Sequence, residues 1–209
     1  GDGVKIKFWG VRGSIPSGSP ATAGVGGNTT CVEIRCGNEL IIIDTGTGVR
    51  NLGISLMKEM PLRATILFSH VHWDHIQGFP FFAPFFVPGN EFRIYGGTTL
   101  PTSIKDILSQ QMKPPCFPVN IDLFGAKLFY QDVKPGDSIE GNGYKITLAP
   151  LYHPNGCYAY RIEHKGKALV FSTDCEHLED KPNKNLIELC QGADTLIYDA
   201  QYTEDEYYG

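Results

Sequence analysis

The chain has 209 residues, 42% of them hydrophobic and 20% charged, with a formal net charge of −5. That length and balance suffice for one large domain with a buried core, or two very small ones, and exclude a long disordered chain. A pI near 5.7 argues against a protein that grips long nucleic acid by bulk charge, while leaving room for a small anion held at a local positive site.

No apolar run approaches the roughly 18 residues of a membrane span. The oiliest stretch, 79–87, is broken by Pro80 and Pro84 and ended by Pro88. No secretory leader is visible, and the chain opens Gly1-Asp2-Gly3 without a methionine. Cys31, Cys36, Cys116, Cys157, Cys175 and Cys190 form no C-x-x-C pair, so they read as reduced thiols in a cytoplasmic protein.

In chain order, Val4, Ile6 and Phe8 alternate with lysines, the pattern of a strand exposed on one face. A glycine-rich loop follows over 10–28. Segments 30–36 and 39–44 read as strands joined at Gly37-Asn38 in a hairpin. Apolar residues at 49, 52, 56 and 60 have helical spacing and stop before Pro61. The continuous apolar run 64–69 is the mark of a strand buried on both faces. A strand is predicted over 92–95, then a helix capped by Thr102 or Ser103 and stopped by Pro114-Pro115. Further strands fall at 127–130, 144–149, 157–163, 167–172 and 195–199, with a helix at 185–191 closed by Gly192. Strands outnumber helices, and the helices are inserted singly. Two mixed sheets packed face to face with helices outside, an α+β arrangement, fits this order. With no internal repeat or linker, residues 1–209 read as one domain.

The informative segment is Ser69-His70-Val71-His72-Trp73-Asp74-His75, directly after the buried strand. Three of the six histidines fall here around one aspartate. At this composition an H-x-H-x-D-H pattern arises by chance on the order of a few times in ten thousand such chains. Residues two apart at a strand end point the same way, so His70 and His72 can reach one metal. Past the turn, Asp74 and His75 can reach a second. Imidazole and carboxylate suit zinc and related divalent ions. His153 stands near the end of the 144–149 strand, and Pro154 after it favours an extended conformation. Asp174 follows the 167–172 strand, where a carboxylate could bridge two ions. His164, in His164-Lys165-Gly166-Lys167, reads as a solvated turn residue, and His177 as a surface histidine or a peripheral ligand. Most of the five phenylalanines between Phe79 and Phe86 read as core, with one or two joining Trp73 as a pocket wall.

The H-x-H-x-D-H motif with the later His153 and Asp174 resembles the metallo-β-lactamase superfamily. Phe8-Trp9-Gly10, Gly27-Asn28-Thr29-Thr30 and Ile43-Asp44-Thr45-Gly46 resemble the opening of its phosphodiesterase branch, which includes ribonuclease Z. The resemblance implies an αββα four-layer sandwich with two metals at one edge of the paired sheets. It places His70, His72 and His153 on one ion, Asp74 and His75 on the other, and Asp174 between them. Asp74 and Asp174 are then the catalytic carboxylates, with Asp44 and Asp199 standing behind the ligands. Asn28, Trp73 and Asn155 would meet the substrate. The family's further histidine after the last strand has no counterpart here, since none follows His177. The domain is therefore expected to lack a C-terminal segment. The His-Glu pair of ribonuclease Z is replaced by Tyr198-Asp199, which argues against tRNA maturation.

Two divalent ions bring four positive charges, and Asp74, Asp174 and a bridging hydroxide remove three. The remaining charge of about +1 suits a phosphodiester anion. The expected function is a metal-dependent hydrolase, a phosphodiesterase acting on a small or single-stranded substrate through a metal-bound hydroxide. Zinc is the default, with manganese or iron as alternatives. The expected partner is a small anionic substrate, with no long nucleic acid and no membrane. The alternatives are hydrolysis of a lactone, thioester or other acyl compound, and a non-catalytic metal-binding regulatory domain.

Overall fold

Alternation along the strands divides their side chains between two cores, and that division dictates the layers. In β2 (Cys31–Cys36) and β3 (Glu39–Ile43), Val32, Ile34, Ile41 and Ile43 face one way into one buried cluster. Cys31, Leu40 and Ile42 face the other way into a second. β3 is therefore apolar on both faces from Leu40 to Ile43, whereas the second face of β2 carries Glu33 and Arg35.

The computed structural model describes residues 3–10, 30–70, 73–97, 102–112, 121–151, 157–173 and 184–199, without the side chains of Trp73, Asp74, Thr173, Tyr198 and Asp199. The first sheet runs in the order β1 (Val4–Gly10), β2, β3, β4 (Arg63–Phe68), β5 (Glu91–Gly96), β6 (Lys127–Asp132). Its first three strands are antiparallel neighbours, and β3 to β6 are parallel. The second sheet has the order β11 (Thr195–Asp199), β10 (Lys167–Thr173), β9 (Cys157–His164), β8 (Tyr144–Leu151), β7 (Ser138–Glu140). Only its β10–β11 pair is parallel.

The parallel stretch of the first sheet requires crossovers. α1 (Val49–Leu56) and α3 (Ile104–Gln110) supply two of them and cover that sheet's outer face. α4 (Lys184–Cys190) leans Leu186 and Leu189 on Leu151, Cys157 and Ala159 of the second sheet. The result is an αββα four-layer sandwich. Ser103, not Thr102, caps α3, its hydroxyl accepting from the Asp106 amide at 3.1 Å. Gly37 turns the β2–β3 hairpin at φ +62°, a region open to glycine.

The aromatic run splits as its prolines dictate, into two 3₁₀ turns at Phe79–Phe81 and Ala83–Phe86. Phe79, Phe82 and Phe85 are fully buried, with rings 4.7 and 4.8 Å apart, whereas Phe81 and Phe86 are exposed. Three of the five are therefore core. Gly53 of α1 makes room for them, since a Cβ there would lie 2.9 Å from the Phe82 ring.

Two expectations are corrected. His164 is buried at 6% exposure and is not a solvated turn residue. The turn is Lys165-Gly166, both at positive φ, and His164 is the last residue of β9, paired with Tyr144 and Lys167. Its Nδ1 lies 2.7 Å from the Gly143 carbonyl. The cysteines are also not all reduced. Cys31, Cys36 and Cys190 are free thiols, but Cys157 is disulfide-bonded to a partner outside the described residues. The short strand β7 and the one-turn helix α2 (Trp73–Ile76) were not anticipated. Among the described residues no helix is long and apolar enough to cross a membrane.

Candidate metal centre

β3 and β4 end side by side, and the chemistry gathers where they stop. Asp44 follows β3 and is completely buried. Its backbone sits at φ +63°, which aspartate tolerates better than most residues because its short side chain bonds locally. The Asp44 amide donates to the Leu67 carbonyl at 2.8 Å, which ties the bend to β4. Oδ1 accepts from the Ser69 amide at 2.8 Å, and Oδ2 accepts from the Ser69 hydroxyl. Oδ2 also accepts from His75 Nδ1 at 2.9 Å.

A carboxylate in the interior is costly unless several donors meet it, and this one has three. Its charge is felt nearby. The Cys31 thiol and the Tyr160 phenol are both pushed well up, by burial first and by Asp44 second.

His75 reaches Asp44 because α2 is pinned to the loop after β3. The Thr45 amide donates to the His75 carbonyl, and the Gly78 amide donates to the Thr45 carbonyl, both at 2.8 Å. The approach is close enough that a Cβ on Gly78 would lie 2.1 Å from the Gly46 carbonyl oxygen. Gln111 Nε2 on the far side donates to the Ile76 carbonyl at 3.0 Å. His70 lies beside His75, their rings 5.3 Å apart and edge to face at 71°. Both imidazoles are buried.

Of the residues singled out in the sequence, the structure brings His70, His75 and Asp44 together. The backbone of Asp74 is in α2 between Trp73 and His75, and that of Asp199 pairs with Thr173 at the end of β10. The side chains of Trp73, Asp74 and Asp199 lie outside the described residues, as do all of Asn28, His72, His153, Asn155, Asp174, Cys175 and His177. Among the described residues no three His, Cys, Asp or Glu side chains gather as a ready-made metal cluster. The donors that are described fit a divalent ion. A metal-binding imidazole characteristically gives its other ring nitrogen to a carboxylate, which fixes tautomer and orientation. His75 does this with Asp44, so it would coordinate through Nε2.

Ser69 was missed in the sequence, although its position just before the motif marks it as the residue that could tie the strand end down. Tyr160 was missed as well, and nothing in the sequence distinguishes it from Tyr158. A concavity of about 540 Å³ lined by Lys145, Arg161, Glu163 and His164 opens at the other end of β8 and β9. Its nearest β9 residue, Arg161, is three positions from Tyr158, whose amide meets Ser69, roughly 10 Å of strand.

A sandwich of this layering, with histidines and a buried carboxylate at the ends of its central parallel strands, has the metallo-β-lactamase fold. Residues 39–209 match the family model of the β-lactamase superfamily domain, and the chain belongs to that superfamily. A ribonuclease Z of Methanothermobacter thermautotrophicus is 25% identical over 210 residues, covering 99% of this chain and 63% of the relative. The chain thus spans less than two thirds of that relative's length. The metallo-β-lactamase fold protein YhfI from Bacillus subtilis superposes with a TM-score of 0.64 at 19% identity, covering 92% of this chain and 69% of YhfI. A diphosphatase from the PhnP family superposes at 0.61 with 16% identity, covering 98% and 90%.

Proposed function

We propose that the chain is a metal-dependent hydrolase, and specifically a phosphodiesterase acting on a small or single-stranded phosphodiester. The observation that carries the reading is the buried Asp44 carboxylate fixing His75 beside His70, the orientation that metal-binding imidazoles characteristically have. His70, His72 and His153 would hold one ion, Asp74 and His75 a second, and Asp174 both. Zinc is the default and manganese or iron the alternatives. Such ions supply Lewis acidity and lower the pKa of water at neutral pH.

The protein's own contribution is orientation. Asp44 keeps the His75 proton on Nδ1, so Nε2 faces the site with its lone pair. Ser69 holds Asp44 from the segment just past β4 that leads to His70. The buried aromatic block beneath α1 fixes the start of the segment after the motif. Support for a phosphate ester substrate comes from the net positive charge expected of two ions with two carboxylates, and from the ribonuclease and diphosphatase named among similar proteins. The ribonuclease also favours a second reading, a longer RNA substrate, against the acidic pI.

The test is a substrate panel on zinc- and manganese-loaded protein: bis(p-nitrophenyl) phosphate, a cyclic nucleotide, a structured RNA with a single-stranded tail, a lactone and a thioester. Turnover of the phosphodiesters above that of the acyl esters is expected. Turnover of the acyl compounds alone would overturn the phosphodiesterase reading. Cleavage of the RNA alone would select the longer substrate.

A further inference from the structure

The histidine motif is held from the second sheet as well as the first. Tyr160 lies in the middle of β9 and is completely buried. Its hydroxyl crosses the inter-sheet core and donates to the carbonyl of Phe68, the last residue of β4, at 2.5 Å. Two residues earlier in β9, the Tyr158 amide donates to the Ser69 carbonyl at 2.8 Å. From the first sheet, Asp44 takes the Ser69 amide and hydroxyl. The peptide groups on both sides of Ser69 are therefore fixed from two directions, and His70 is the next residue. Burial and the nearby Asp44 charge keep the phenol protonated, so it acts as a donor.

We propose that the Tyr160 hydroxyl is a positioning group for the metal site: by holding the Phe68 carbonyl across the gap between the sheets, it sets the direction in which the chain leaves β4. That direction places the His70 imidazole relative to His75 and Asp44. A buried peptide carbonyl without its donor seeks another partner, and a small rotation of the 68–69 peptide suffices to swing the next side chain. The inference rests on the metal-site reading above, and it assigns a role to a residue that is not itself a ligand.

A matched control exists in the neighbouring strand β8. The Tyr144 hydroxyl bonds Thr65 Oγ1 at 2.7 Å, likewise crossing from the second sheet to β4 of the first, but from β8 and away from the motif. Tyr160→Phe and Tyr144→Phe each remove one cross-sheet hydroxyl and keep the ring. Cobalt(II) is titrated into both variants and the unsubstituted protein, following the visible d–d absorption, and kcat and KM for bis(p-nitrophenyl) phosphate are measured alongside. Tyr160→Phe is expected to weaken cobalt binding about tenfold, alter the band positions and lower kcat with KM little changed. Tyr144→Phe is expected to leave affinity, spectrum and kinetics as they were. Equal effects of the two variants, or none from Tyr160→Phe, would overturn the inference while leaving the metal site standing. An unsubstituted protein that takes up no cobalt overturns the site reading, and the inference falls with it. If Tyr160→Phe does not fold, 4-fluorophenylalanine at position 160 keeps the volume without the donor and takes its place in the same comparison.

Discussion

At the scale of single residues, the account turns on Asp44. Asn also tolerates a left-handed backbone, so Asp44→Asn keeps the bend and the shape while removing the charge. One amide oxygen and one NH2 cannot accept all three of the donors that meet the carboxylate now. The expected outcome is a folded protein with metal affinity reduced about 10- to 100-fold. The loss of stability is expected to be about 1.5–3 kcal/mol. Metal titration and urea denaturation of the variant check both.

Buried acids give a second expectation, for alkaline solution. Burial pushes the Cys36 thiol up to about 11 and Cys31 well above the ordinary thiol value. It also raises the phenols of Tyr144, Tyr158 and Tyr160. In each case the folded state holds a proton that the unfolded chain releases, so stability falls with rising pH. The loss should begin near pH 8.5 with the thiols and steepen above about 10 with the phenols. Urea midpoints across that range test the sign, and Tyr160→Phe should make the upper part shallower.

Residues such as His164 mark where sequence reading fell short. The Lys-Gly-Lys that follows it signals a turn, and a histidine beside lysines reads as wet. Yet Tyr160, Ile162 and His164 share one face of β9 by simple alternation, so the inward direction of His164 was available in the pattern. The disulfide at Cys157 left no comparable trace, because pairing depends on a partner brought near by the fold. Asp44 was legible through family resemblance, while its three donors come from Ser69, just past β4, and from His75 of α2, and were not.

At the scale of elements, the site depends on how closely α2 meets the loop after β3. Gly78 is the contact. A methyl there would overlap the Gly46 carbonyl, a backbone atom that cannot swing aside. Gly78→Ala is therefore expected to lower stability by at least about 1–3 kcal/mol. It should also displace His75 from Asp44. Denaturation, with the His75 ring-proton shift in NMR as a local probe, separates this from a silent change. The strands themselves were readable, since β3 and β4 are mostly apolar on both faces and β1 and β2 alternate. The short β7 was not, because three residues carry too little periodicity. α2 was hidden for the opposite reason: its residues were read for their ligand chemistry, and a single turn has no amphipathic stripe to show.

For the whole molecule, two sheets and two helical layers serve to bring β3, β4 and β9 to a common edge. The inter-sheet core fixes their relative height, and the cross-sheet bonds of Tyr158 and Tyr160 lock the motif to that height. The layering followed from the order of elements. The convergence of Asp44, Ser69, His70, His75 and Tyr160 did not, since these residues are separated by up to 116 positions in the chain and meet only through sheet register.

The most direct test of the account is anomalous diffraction at the zinc edge from crystals of the zinc-loaded protein. The account predicts one zinc at about 2.0–2.1 Å from a ring nitrogen of His70 and a second at about the same distance from Nε2 of His75, with His75 Nδ1 still on Asp44. No anomalous peak beside these imidazoles, or a His75 ring turned to bind through Nδ1 with Asp44 released, would contradict it.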